Sequence, residues 1–371
     1  MKRFMLIPNL LILISMLISG CGKNQKLFVA GYTRNPDDKG FSVYELKTDR
    51  GELIRLTACD AGPNPSYFTC SPGKNLFYII NEVGKFKGNP GGGLTTLKYD
   101  EKSGELTKQH EMNVPNGGPC YISLSPDGGY LLIANYSRGS VAVVRLDQSG
   151  IPESVTDTIF YIRDPSDRSH AHMISADPAG KKIYVTDLAL DKILIYDFDN
   201  ITGRLAPSAY PHVQLPEGEG PRHFVFSPDG SKLYVINELG STVMVFDVTD
   251  QRAPQLVQTL STVREDFEGR NFCADIHIGK NGKFLYGSNR GENTIVTFSI
   301  GSDGLLSLAG HTSCGGDWPR NFVIDPSGTF LLVGNQRSDN ISVFRINSKT
   351  GLPEEQTSRT ESVSPACLKF Y

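Results

Sequence analysis

Several familiar chemistries have no foothold in this sequence. It contains no Gly-x-Ser-x-Gly elbow and no Walker-type phosphate loop, which disfavours a covalent serine route and nucleotide hydrolysis. No two cysteines form a Cys-x-x-Cys pair, so neither a zinc site nor a disulfide framework is signalled. Charge of one sign is not in excess: 371 residues carry a formal net charge of −3 with 21% charged residues, giving no bias toward nucleic acid or another polyanion. Sustained helical periodicity with caps is missing, and the one long apolar run, Phe4 to Ile18, is too short for a comfortable membrane span.

What the chain has is a repeated phrase: an apolar strand, a Ser-Pro-Asp-Gly-like turn, then a second apolar strand ending in Asn. The clearest copies are Tyr121 to Asn135, Phe224 to Asn237 and Phe322 to Asn335, with weaker ones around Pro72, Pro178 and Asn281. The strands are rich in β-branched and aromatic residues and are punctuated by Gly, Pro, Asp and Asn. A period of roughly 45–55 residues carrying about four short strands is a β-propeller blade. The spacing predicts an all-β, seven-bladed propeller forming a single domain over 27–371. Its strand pairs fall at 66–81, 120–135, 172–187, 222–237, 275–289 and 320–335. The seventh blade is split: Pro365–Tyr371 supplies its first strand, and Leu27–Gly31 and Gly40–Leu46 supply the next two. Closing the ring this way removes exposed sheet edges. Gly88–Gly93 reads as a loop within one blade, and Asn135, Asn237, Asn289 and Asn335 as residues that hold turns.

The start of the chain has its own character. Lys2 and Arg3 precede the apolar run, which closes on Ile18-Ser19-Gly20-Cys21. This reads as an export signal, and its ending resembles the bacterial lipoprotein signal. The resemblance implies a leader at 1–20, lipidated Cys21 with a short linker at 21–26, and a protein held by its lipid in the cell envelope, facing the periplasm. The membrane would then be a partner only through that anchor. Cys59, Cys70, Cys120, Cys273, Cys314 and Cys367 read as buried free thiols.

A hairpin brings its two outer ends together, so aligned blades define a site. First-strand starts give Ser66, Cys120, His172, Arg222, Asp275, Arg320 and Ala366. Second-strand ends give Tyr32, Glu82, Tyr136, Leu188, Glu238, Arg290 and Gln336. Both rings belong to one face and suit an anionic substrate: Arg offers a planar fork for carboxylate or phosphate, while Glu and His exchange protons near neutral pH. Arg222 and Glu238 also fit a structural ion pair, and His223 alternates to the opposite face from Arg222 as a packed or hydrogen-bonded residue. His170 with His172, or Asp275 with His277, puts two possible metal ligands on one strand, but nearby arginines disfavour a divalent cation.

Gly220-Pro-Arg-His-Phe-Val-Phe-Ser-Pro-Asp-Gly, Val235-Ile-Asn-Glu-Leu, Ala274-Asp-Ile-His-Ile and Tyr286-Gly-Ser-Asn-Arg290, in that order, resemble the seven-bladed propeller lactonase family. That family includes the bacterial propeller-type 6-phosphogluconolactonase and the fungal 3-carboxy-cis,cis-muconate lactonizing enzyme. The resemblance covers essentially the whole mature chain. It implies hydrolysis of a small anionic sugar lactone, no cofactor and no metal. Its catalytic residues fall on His172, Arg222, Glu238 and Arg290, with Arg320, Asp275, His277, Tyr136 and Gln336 as candidates for holding substrate. Cycloisomerisation of a muconate is the second expectation, and a non-catalytic envelope scaffold the third. A leader for export sits poorly with a cytosolic sugar phosphate and points toward an unphosphorylated aldonolactone or a uronate-derived one.

Overall fold

The computed structural model describes residues 24–371 except 36, 163, 165 and 250–252. The expected leader at 1–20 and the expected lipidation site Cys21 lie outside the described residues. Seven four-stranded antiparallel sheets form a propeller, and in six of them the strands run from innermost to outermost in chain order. The innermost strands, which number blades I to VII here, are Pro65–Ser71, Pro119–Leu124, Ala171–Ala176, Pro221–Phe226, Phe272–Ile278, Pro319–Ile324 and Pro365–Phe370. One single-turn 3₁₀ helix, Pro72–Lys74, is the only helix among the described residues.

Ring closure follows the expected arrangement. Pro365–Phe370 pairs with Gln25–Gly31, which pairs with Gly40–Lys47 and through it with Glu52–Asp60. Sheet order begins at Gln25, slightly before the expected Leu27. The seam is aromatic: Phe28 stacks on Phe77 of blade I at 4.2 Å, and Tyr371 packs against Phe77 at 5.3 Å. Burying such side chains stabilises by about 1.5–3 kcal/mol each, so the closure has its own hydrophobic core. Gly88–Gly93 is more ordered than a plain loop, because Lys85–Phe86 and Asn89–Pro90 form a small ribbon within blade I.

The repeated residues have clear mechanical duties. In the Ser-Pro-Asp-Gly turns the Asp accepts from the Ser hydroxyl and the Gly takes the left-handed conformation, as with Gly128 at φ 70° and Gly230 at φ 71°. The Asn residues are fully buried and fasten the strand end to incoming chain: Asn289 donates to Thr262 O at 2.6 Å, and Asn335 to Cys314 O at 3.0 Å. The six described cysteines are free thiols; four are buried, while Cys59 and Cys70 are half-buried rather than buried.

Candidate active site

A β-bulge places the site. In six blades the register shifts at the second residue of the innermost strand, leaving Ser66, Cys120, His172, Arg222, Arg320 and Ala366 each as the extra residue. Such a bulge re-aims a side chain that a regular ladder would have committed to one sheet face. The second ring is pinned beside the first by one recurring hydrogen bond. Glu82 N donates to Asn64 O, Tyr136 N to Gly118 O, Leu188 N to His170 O, Glu238 N to Gly220 O and Gln336 N to Trp318 O, all within 3.0 Å.

The four residues expected to be catalytic come together. Glu238 Oε2 lies 2.8 Å from Arg222 Nε and 2.7 Å from Arg290 Nη2, so one carboxylate holds two guanidiniums. Arg222 Nη1 also donates to Ala274 O, while Arg290 donates from Nε to Phe272 O at 3.1 Å and from Nη2 to Cys273 O at 2.9 Å. His172 is buried, its ring edge-on to Tyr136 at 5.8 Å, and its Nδ1 has no hydrogen-bond partner. Tyr136 stacks on His170, whose Nδ1 lies 2.9 Å from Tyr136 O, so that nitrogen is spent on the backbone. Arg320 donates to Tyr32 OH at 2.8 Å, and Tyr32 donates to Glu82 Oε2 at 2.6 Å. Gln336 takes the corresponding place in the blade of Arg320.

Asp275 and His277 do not join this ring. Lys280, not Asn281, fills the turn-proline slot of blade V: Gly279 N bonds Phe284 O as Ser227 N bonds Lys232 O, and Asn281 Oδ1 accepts from Lys283 N as Asp229 accepts from Ser231 N. The blade alignment therefore moves by one residue, Ala274 becomes the counterpart of Arg222, and Asp275 becomes the counterpart of His223. Asp275 sits one layer deeper, 2% exposed, accepting from His223 Nδ1 at 2.8 Å, His277 Nε2 at 2.9 Å, Ile276 N at 3.0 Å and Asn321 Nδ2. His277 lies further along the strand in a cavity of about 260 Å³ that also involves Tyr67, Tyr121, Met173 and His223. His223 is hydrogen-bonded, as expected, but it is not on the opposite face from Arg222. The bulge lets Arg222 Nη1 approach His223 Nε2 at 3.4 Å. With Nδ1–H committed to Asp275, Nε2 is the acceptor. Among the described residues no group of three His, Cys, Asp or Glu side chains has metal-holding geometry.

The electrostatics set protonation states. Burial, then Arg222, His223, Arg320 and Arg290, push His172 well below the ordinary histidine range, so the imidazole is neutral. Burial alone would raise the Glu238 carboxyl, but Arg290, Arg222 and Arg320 outweigh it and hold the group below its usual range, hence ionised. Burial and Arg222 bring His223 down to about 4, against the opposing pull of Asp275. The stability consequence has a definite sign. Between pH 6.5 and about 4 the unfolded chain binds a proton at this histidine and the folded chain does not, so stability rises with pH across that window. His223 is expected to contribute roughly 3 kcal/mol of acid sensitivity. The difference in unfolding free energy between pH 7 and pH 4.5 should therefore shrink in His223→Gln, and an unchanged difference would show that the group titrates alike in both states.

Sequence reasoning missed two residues at the mouth. Trp318, the one tryptophan of the chain, directly precedes Pro319 and Arg320 and adopts φ 66°. The Arg337 guanidinium lies 3.3 Å from its ring centroid, and that of Arg290 lies 5.3 Å away. A single tryptophan beside an expected site arginine was the available signal.

Comparison with known proteins bears on the family and the fold. A family model described as lactonase, 7-bladed beta-propeller, matches residues 26–370. The 6-phosphogluconolactonase of Formosa agariphila is 32% identical over 343 residues, covering 89% of this chain and 96% of that one. That of Bacillus subtilis is 28% identical over 349 residues, covering 92% and 97%. The solved structure of the periplasmic gluconolactonase of Pseudomonas aeruginosa superposes with a TM-score of 0.87 at 31% identity, covering 94% of this chain and 99% of that one. Blade number, closure at the termini and a match spanning nearly every described residue lead to one assignment: this chain belongs to the lactonase family of seven-bladed β-propellers.

Proposed function

We propose that the protein hydrolyses the ring ester of a sugar lactone at the cluster of His172, Arg222, Glu238 and Arg290. The observation that carries the reading is the buried, unpartnered Nδ1 of a neutral His172 beside two arginines clamped by one carboxylate. Buried polar atoms are nearly always satisfied, and an orphan in a charged cleft invites a reacting partner. His172 takes a proton from water as the water oxygen attacks the lactone carbonyl carbon. Arg222 and Arg290 face the oxyanion that forms. The carbonyl–ring oxygen bond then breaks, and the departing alkoxide takes the proton back from His172, leaving a hydroxy acid. Glu238, strapped to both guanidiniums, is a poor base and serves to hold them. Tyr136 and His170 set the orientation of His172.

The named relatives favour ring opening over muconate cyclisation. Convergence of this many titratable groups favours an enzyme over a scaffold. Proton release by the purified protein, with spontaneous hydrolysis subtracted, tests the reading. Turnover of gluconolactone or 6-phosphogluconolactone is expected; turnover of 3-carboxymuconolactone alone, or of none, would overturn it.

The leader at 1–20 and Cys21 support export with a lipid anchor, and a periplasmic gluconolactonase among the similar structures weighs in the same direction. The substrate is then a lactone available outside the cytosol. Cys21→Ser should move the protein from the membrane fraction to the soluble envelope fraction without loss of specific activity. Retention of the variant in membranes would remove the case for a lipid on this residue.

A further inference from the structure

The cations of the site are already largely committed. Arg222 and Arg290 share Glu238, and Arg320 reaches Tyr32 and lies 4.0 Å from Glu82. Three guanidiniums against two carboxylates leave about one net positive charge, which lactone opening requires at the carbonyl oxyanion. A substrate carrying a fixed second anion needs a cation outside this set.

Arg337 meets that need. It is exposed and makes no ion pair with any described residue, yet it is not loose, since its guanidinium lies flat on the indole of Trp318. Stacking uses the faces of both groups and leaves the in-plane N–H donors of the guanidinium unspent. The platform beneath is rigidly built. Trp318 N donates to Asn293 Oδ1 at 2.9 Å, and Asn293 Nδ2 donates to the neighbouring Asp317 Oδ1 at 2.9 Å. Phe272, whose carbonyl fixes Arg290, packs on the indole at 5.9 Å. The left-handed φ of Trp318 belongs to the blade plan, since Asn64, Gly118, Gly220 and Ser364 take it before the same strand-opening proline, so the indole is held where that turn sets it. Trp318 also approaches Arg290, so it joins the reacting centre to Arg337 through one ring.

We propose that Trp318 and Arg337 form a subsite for a second oxyanion, so that the preferred sugar lactone carries a carboxylate or phosphate distant from its ring ester. Resting on the lactonase reading above, the inference supplies its substrate class. Arg337 binds the distal anion in the plane of its guanidinium, and Trp318 sets the distance of that anion from Arg290.

The test compares kcat/KM for three lactones: neutral gluconolactone, 6-phosphogluconolactone and a glucaric acid monolactone. The wild type should prefer an anionic lactone, and the better of the two identifies the group. Arg337→Gln should lower the anionic-to-neutral ratio by about tenfold to a hundredfold, as expected for losing one charge-assisted contact. A wild type without preference for either anion, or an unchanged ratio in the variant, would overturn the inference while leaving the lactonase reading intact. If no lactone is turned over, the lactonase reading fails, and a second measurement still decides the subsite. Emission from the single tryptophan reports its occupancy without background. Titration with 6-phosphogluconate or glucarate should change that emission in the wild type and not in Arg337→Gln. A flat response in both would reject the subsite.

Discussion

Arg222→Lys should lower kcat for lactone opening by about 10²-fold, and Arg222→Ala by about 10²–10³-fold, the range for removing one donor aimed at a developing oxyanion. The lysine variant is the more informative because it keeps the charge. Arg222 touches the carbonyl of Ala274, the Nε2 side of His223 and the carboxylate of Glu238 at once. A single ammonium on a flexible stem cannot span those three directions. The loss should appear in kcat more than in KM, the mark of an interaction realised in the transition state. Near-normal kcat in Arg222→Lys would mean that the arginine supplies charge alone.

Asp275→Ala should destabilise the fold by about 3–5 kcal/mol, the scale for stripping a buried charge network of one partner. The carboxylate receives side chains from three blades: His223 of blade IV, His277 of its own blade V and Asn321 of blade VI. Burial opposes its ionisation, but the histidines and their hydrogen bonds hold it far below the ordinary aspartate range. The chain continues upward, since His223 presents Nε2 toward Arg222. Denaturant midpoints should therefore fall and kcat should fall with them at denaturant concentrations where the variant is still folded. Loss of stability with unchanged kcat would confine Asp275 to a structural part.

How far the sequence could be read depended on what each feature needs from its residues. The turn glycines and buried asparagines are dictated by backbone conformation and by unpaired carbonyls, so they recur visibly and marked the blades. Both rings follow from that alignment, and His172, Arg222, Glu238, Arg290 and Arg320 were legible because hairpin ends are fixed by their turns. Blade V was misread because Lys280 stands where the other turns have proline, and one position of error placed Asp275 a layer too high. The bulge carries no residue preference, which is why the closeness of Arg222 and His223 could not be anticipated. Trp318 stands at a repeated position, its carbonyl accepting the hydrogen bond that pins the second ring, but the residue type there changes from blade to blade, and Arg337 lies one residue past that ring, so the repeat marked neither side chain.

The seam between the two chain ends has a consequence in time. Synthesis delivers Gln25–Gly31 well before its inner partner, Pro365–Phe370, because six complete blades lie between them in the chain. Until then blade VII offers an unpaired edge and the ring has no way to lock. A prematurely terminated chain would keep that edge permanently open to pairing with other molecules. Arrival of Pro365–Phe370 is thus what allows the ring to lock, whereas each of the other six blades can pair its own four strands before that strand appears.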